Sequence, residues 1–226
     1  MLYTMRTFSV QRADYREFIR ISEEELWPAI GTLGAKPLAL WVVRAGTIER
    51  ILLITRYRDM QHWLGTRDWT PEGATAMKPS VTRRNALIRD TDLITLELLS
   101  KREPKDDADP VAAGMYALES WPAPVTGAAR LADLAENAWW PWAERDGVQR
   151  YVAMWKSDIA PEGRIYALSR YRDMAHWSES RTPGPEPAVG PEHDRWARAT
   201  DALLEMQAIA KLPLVQILEP VTVRRP

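Results

Sequence analysis

The sequence predicts an α+β protein in which one β-α-β-β-α-β unit is written twice. Three observations predict it. The segment Thr55 to Arg67 returns as Ser169 to Arg181, an offset of 114 residues, with Arg, Tyr, Arg, Asp, Met, His, Trp and the final Arg unchanged. Shorter blocks repeat at an offset of 113: Tyr3 to Phe8 with Tyr116 to Trp121, Leu26-Trp27-Pro28 with Trp139-Trp140-Pro141, Glu23 with Glu136, and Gly34 with Gly147. Between the copies lies a charged, Pro-broken stretch without large apolar groups, Lys101 to Pro110. The expected organisation is one domain over 1–100, a linker over 101–113 and a second domain over 114–226.

Each element has a local reason. Residues 2–8 alternate and begin with β-formers, which predicts a first strand. Residues 13–27 place Tyr15, Phe18, Ile19, Ser22 and Leu26 on one side, a helical spacing matched by Leu131, Ala132, Ala135 and Trp139. Pro28 and Pro141 are expected to stop these helices. Second strands are predicted over Pro37 to Val43 and Arg150 to Lys156. Turns at Ala45-Gly46 and from Asp158 to Gly163 lead to third strands over Arg50 to Tyr57 and Arg164 to Tyr171. Asp59 and Asp173 suit N-caps, because a carboxylate accepts the exposed N–H groups of a first helical turn. The second helix of each unit is interrupted, most plainly by the Pro-rich run 182–191, and resumes with Trp196, Thr200, Leu203 and Gln207 on one face. Fourth strands fall over Leu93 to Leu99 and Leu214 to Glu219. This order is the ferredoxin-like split β-α-β. Each half gains a four-stranded antiparallel sheet with helices on one face. The other, apolar face requires cover, and the expected solution is that the two sheets pack together as a barrel built from one chain.

Composition narrows the functions. The 226 residues carry 30 Lys+Arg and 31 Asp+Glu, a formal charge of −1, so the basic excess of a nucleic-acid binder is missing. There is no cysteine, which excludes disulfides, thiolate nucleophiles and iron–sulfur ligation, and the three histidines argue against a multi-His metal site. Apolar runs are short, so no membrane span is expected, and without a signal-peptide core the default location is cytoplasmic. Tryptophan is abundant, 11 residues against 2 phenylalanines.

A Tyr-x-Leu/Met-x-Thr/Ser-aromatic opening, then a helix, a Gly, a Trp-bearing strand and Arg-Tyr-Arg-Asp-Met heading a second helix resembles the NIPSNAP family. The resemblance covers residues 1–99 and 114–220. It implies the dimeric α/β-barrel superfamily, here as a tandem duplication that closes the barrel within one chain. That superfamily includes cofactor-free antibiotic-biosynthesis monooxygenases, muconolactone isomerases and haem-degrading enzymes, and many members bind a ligand between sheet and helices.

The candidate catalytic residues follow from chemistry and position. His62 and His176 sit three residues after the caps, where the helix dipole favours neutral imidazole, a proton acceptor or donor near pH 7. Each is also readable as packing inherited by both copies. Tyr57 and Tyr171 end the third strands and could donate to a carbonyl or phenolate. Arg58 and Arg172 could hold a carboxylate or enolate, or simply pair with Asp59 and Asp173 at the surface. Trp27, Trp41, Trp63, Trp140, Trp155 and Trp177 are candidate ligand-facing indoles, though core packing explains such positions as well. Glu23 and Glu136, four residues before Trp27 and Trp140, could be carboxylates of raised pKa or a solvated flank. His193 reads as a surface turn.

The function these residues predict is metal-independent acid/base chemistry on a small apolar, aromatic or polyketide-like molecule: isomerisation, cyclisation, dehydration or cofactor-free oxygenation. His176 is the expected base, helped by Tyr171 and Arg172, with no cofactor, no nucleic-acid or membrane partner, and further self-association left open. The alternatives are a non-catalytic binding or scaffolding protein, and haem binding through His62 or His176.

Overall fold

The computed structural model describes residues 1–43, 48–67, 70–101, 114–145, 147, 149–157, 163–210 and 213–221. The expected turn at Ala45-Gly46, most of the turn from Asp158, and the linker beyond Lys101 lie outside the described residues. The chain divides into two compact units, Met1–Glu97 with Glu219–Pro226, and Leu98–Leu218.

The first unit runs β1 (Leu2–Gln11), α1 (Tyr15–Arg20), α2 (Trp27–Thr32), β2 (Lys36–Val43), β3 (Ile48–Tyr57), α3 (Met60–Gly65), α4 (Pro71–Asn85) and β4 (Ile88–Lys101). Its strands are antiparallel in the order β4-β1-β3-β2. The pleat sends Thr4, Arg6 and Phe8 of β1 toward the helices, beside Leu53 and Thr55 of β3. The alternate residues, among them Tyr3, Met5, Leu52 and Ile54, are buried on the opposite face. Under the helices, Phe8, Phe18, Leu40 and Ile51 pack in one cluster, and Ile21, Leu26, Ile30 and Met77 in another.

The second unit repeats this order: β5 (Met115–Pro122), α5 (Ala128–Leu134), α6 (Trp140–Ala143), β6 (Arg150–Ser157), β7 (Arg164–Tyr171), α7 (Met174–Glu179), α8 (Pro191–Ile209) and β8 (Leu214–Pro220). Its sheet is antiparallel in the order β8-β5-β7-β6. The predicted class, α+β with two ferredoxin-like units, is the one found. The strands run longer than predicted at several ends, most of all β4, which begins at Ile88.

Pro28 and Pro141 do not end their helices. In each unit a π-helical turn intervenes, Ile21–Leu26 and Ala135–Trp139. The Trp27 N–H donates to the Ser22 carbonyl, and the Trp140 N–H to the Ala135 carbonyl, five residues back. The wider turn resets the hydrogen-bond register, so each proline falls in the first turn of a new α segment, where its missing N–H is not needed. The helix then carries on to Thr32 or Ala143. Leaving it, Gly34 and Gly147 take positive φ, +82° and +74°.

Both predicted caps form. The Asp59 carboxylate accepts the His62 N–H at 2.7 Å and the Asp173 carboxylate that of His176 at 2.8 Å. Among the described residues no helix is long and apolar enough to cross a membrane. Replacing Asp173 by Ala is expected to cost about 1 kcal/mol of stability in urea denaturation, and by Asn much less, since the amide oxygen still caps.

Candidate active site

In the second unit a cavity of about 210 Å³ lies between the helix-facing side of the sheet and the helices above it. Glu119 of β5 stands in its floor, with Tyr151 of β6 and Tyr171 of β7 beside it and Gln149 just before β6. Trp139 and Trp140 close the helix side, while Arg181 and Gln207 stand exposed at the rim. The pleat explains Glu119: it is the middle member of the row Ala117, Glu119, Trp121, and it pairs with Ala167 across the sheet.

Burial pushes the Glu119 carboxyl from 4.5 up to about 7, against the smaller opposing pull of the Arg181 guanidinium. The same burial, reinforced by the Glu119 charge, holds the Tyr171 phenol well above its ordinary value. Tyr151 is raised by burial, then by Tyr171 and Glu119. Both phenols are therefore proton donors at any physiological pH. The Gln149 amide donates to the Tyr171 hydroxyl at 3.3 Å, and the Trp139 indole N–H donates to the Tyr151 hydroxyl at 2.5 Å. Each phenol oxygen thus accepts a hydrogen bond within the protein, and Tyr171 has the Ser169 hydroxyl as a further partner. The Tyr151 ring stacks on Trp140, centroids 4.4 Å apart, which sets its direction.

The predicted residues divide. Tyr171 and Trp140 line this cavity, and Tyr57 lines the corresponding one in the first unit. His176 is 5% exposed and lines a separate, smaller cavity with Trp142, Arg145 and Glu179. It packs against the Tyr171 ring, centroids 5.9 Å apart. His62 has both ring nitrogens engaged. Its Nε2–H donates to the Leu33 carbonyl at 2.7 Å, and its Nδ1 accepts from the Arg58 backbone N–H at 3.1 Å. These bonds set a neutral tautomer that ties α3 to the loop after α2, and they occupy both positions an axial haem ligand would use.

Arg58 is exposed, and Arg172 is exposed and paired with Asp173 at 3.0 Å. Trp41 and Trp155 are fully buried opposite Leu52 and Tyr166, on the sheet face away from the helices. Trp27 packs beside Phe8 and Phe18, and Trp63 beside Leu26 and Met77. The Trp63 and Trp177 rings lie under the Arg67 and Arg181 guanidiniums at 5.2 and 5.0 Å. Glu23 stands on the π turn, its carboxyl pushed up to about 6 by burial and then by Glu24. Glu136 accepts from the Ser100 hydroxyl. The Pro-rich run is pinned to two helices, α6 and α8. Trp142 donates to the Pro183 carbonyl at 3.0 Å and Trp196 to that of Gly184 at 3.2 Å. His193 bonds Glu186 at 2.9 Å.

Solved structures resemble the whole chain. A candidate monooxygenase from Fusobacterium nucleatum aligns over 98% of this chain and 92% of its own, with a TM-score of 0.62 and 8% identity. An anthrone oxidase-like protein aligns over 98% and 91%, with a TM-score of 0.53 and 12% identity. The fold is that of the dimeric α/β-barrel proteins. An uncharacterised NIPSNAP domain protein from Burkholderia xenovorans also matches, at 21% identity over 43% of this chain and 93% of its own, with a TM-score of 0.35. No family model and no curated protein matches the sequence.

Sequence reasoning passed over Glu119, Gln149, Tyr151 and Arg181. The signal for Glu119 was present: a lone carboxylate amid the helix-facing row of a central strand, opposite in charge to Arg6 at the repeat position. Its raised pKa has a consequence for stability. The folded state holds the Glu119 proton more tightly than the unfolded chain, so stability falls as pH rises from about 4.5 through about 7. Glu119→Gln removes that loss. The variant is expected to be more stable than the parent by about 1–3 kcal/mol at pH 8 and equal to it at pH 4, by denaturant titration.

Proposed function

We propose that the second unit catalyses proton transfer at carbon on a small, largely apolar molecule of aromatic or polyketide type, with Glu119 as the base. One observation carries this reading: a carboxyl titrating near 7 lines an aromatic cavity together with two phenols that stay protonated. A base is most useful when its pKa lies near the working pH, because it is then both available and strong enough to take the proton. Trp140, Met154 and Leu131 offer apolar walls to a flat ring.

The chain's own groups suffice for the step. Glu119 takes a proton from a carbon next to a carbonyl or on an electron-rich ring. Charge develops on the ligand oxygen, where Tyr171 and Tyr151 donate hydrogen bonds and Arg181 at the rim supplies positive charge. Glu119 then returns the proton to a different atom. His176, behind Tyr171, holds that ring in place rather than touching the ligand. Such deprotonation is common to isomerisation, cyclisation, dehydration and cofactor-free oxygenation. The names of two of the structures that match the whole chain, a monooxygenase and an anthrone oxidase-like protein, favour the last, in which molecular oxygen as co-substrate would react with the deprotonated carbon and Glu119 would keep the proton until product release.

Hydrogen exchange tests the step without knowledge of the natural substrate. The protein is expected to accelerate exchange of the acidic C–H of anthrone or a cyclic 1,3-diketone into heavy water, with a rate that falls below pH 7. Glu119→Gln should lose about 10²–10⁴ of the acceleration, the usual worth of a positioned base. Tyr171→Phe should lose roughly 10-fold or more, as for a deleted oxyanion donor. Equal exchange by Glu119→Gln and the parent would exclude Glu119 as the base.

A further inference from the structure

One polar group bordering the second unit's cavity is left without a partner. Gln149 is 1% exposed and lies just before β6. Its side-chain amide has two polar ends. The Nε2–H donates to the Tyr171 hydroxyl at 3.3 Å. The Oε1 is buried and has no hydrogen-bond partner among the described residues. Such an oxygen destabilises the fold, because the bond it made to water is lost and nothing replaces it.

Packing does not require an amide here. Tyr151 pairs with Ser169 as Pro37 pairs with Thr55, so Gln149, two places earlier, corresponds to Ala35. Each stands one residue before its strand, β6 or β2. Ala35 is equally buried, at 1%, and packs with Ile30 and Tyr57. A small apolar side chain thus fills the position in one unit. The amide occurs in the unit whose cavity contains Glu119.

Gln149 is otherwise enclosed, so a donor reaches it from the cavity. We infer that Gln149 selects the ligand: the substrate is a phenol or an enol whose O–H donates to Gln149 Oε1. This deepens the proposed function and rests on that cavity being the place where the ligand binds. A hydroxyl suits the position because it donates to the amide oxygen and still accepts from a neighbouring phenol. An aryl amine donates but accepts poorly, and an ether oxygen only accepts. The amide is neutral at every pH, so it holds the hydroxyl without taking its proton. Proton removal, at carbon, is left to Glu119.

Equilibrium dialysis of the full chain with 2-naphthol, 2-methoxynaphthalene and naphthalene tests this. The probes share the ring system and differ in whether they carry an O–H. At pH 5 the Glu119 carboxyl is protonated and does not compete for the hydroxyl as an anion. There 2-naphthol should bind about 10-fold or more tightly than either of the others. Gln149→Met, of similar length but without the acceptor, should weaken 2-naphthol by about 10-fold or more and shift the other two by less than about 3-fold. Gln149→Ala, which installs the first unit's residue, should lose the preference as well, and it serves if the Met variant folds poorly. The hydrogen-exchange assay separates this inference from the catalytic reading. If the parent accelerates no exchange yet prefers 2-naphthol through Gln149, the catalytic reading falls and the inference stands. The inference is overturned, whatever the exchange shows, if 2-naphthol does not bind, if it binds no better than the other probes, or if its preference survives in the Gln149 variants.

Discussion

The pleat of the central strand is the constraint on which both cavities depend. In β1 and β5 every second side chain faces the helices, and that row is mostly small or apolar. A charged residue in such a row is half-buried, as Arg6 and Glu119 are, and loses part of its hydration. Its charge must be compensated locally, or its protonation must change. Glu119 takes the second course, with a carboxyl near 7, and arginine at position 6 cannot. One change of sign in a shared scaffold thus separates a group that exchanges protons from a group that holds charge.

The strand-to-helix junction provides the second shared device. Asp59 and Asp173 cap α3 and α7 by accepting N–H groups of the first turn. The preceding Tyr57 and Tyr171 are thereby held at the ends of their strands, pointing under the helices, while the following histidines turn away from the cavities. His62 shows what such a histidine does in this fold: it bonds the Leu33 carbonyl and anchors the helix start. The Trp-Arg pairs that follow, Trp63 with Arg67 and Trp177 with Arg181, place a guanidinium at each cavity by stacking it on an indole.

The π turns have a structural role of the same kind. They let a proline sit within a helical run and rotate the following segment, so that Trp140 faces the cavity and stacks on Tyr151. Helical periodicity carried straight through Ala128 to Ala143 would not give that direction. The proline looked like a stop because a straight α-helix would need its N–H, and the wider turn removes the need.

The sequence by itself determined the order of elements, the two caps and the presence of two units of the same plan. Those features rest on local rules: alternation, helical spacing, a carboxylate before a first turn, and a motif repeated almost letter for letter. It also showed that Tyr57 and Tyr171 end strands beside helices, and that no thiol chemistry exists. Only the tertiary structure decided which polar groups share a cavity. Glu119, Tyr151, Tyr171 and Arg181 lie on separate elements and come together by register and helix placement. Their chemistry depends on desolvation, a property of what covers a residue rather than of its neighbours in the chain. The histidines, chemically the most suggestive letters in the sequence, do not line the two cavities between sheet and helices, whereas a glutamate in the middle of a strand lines one of them.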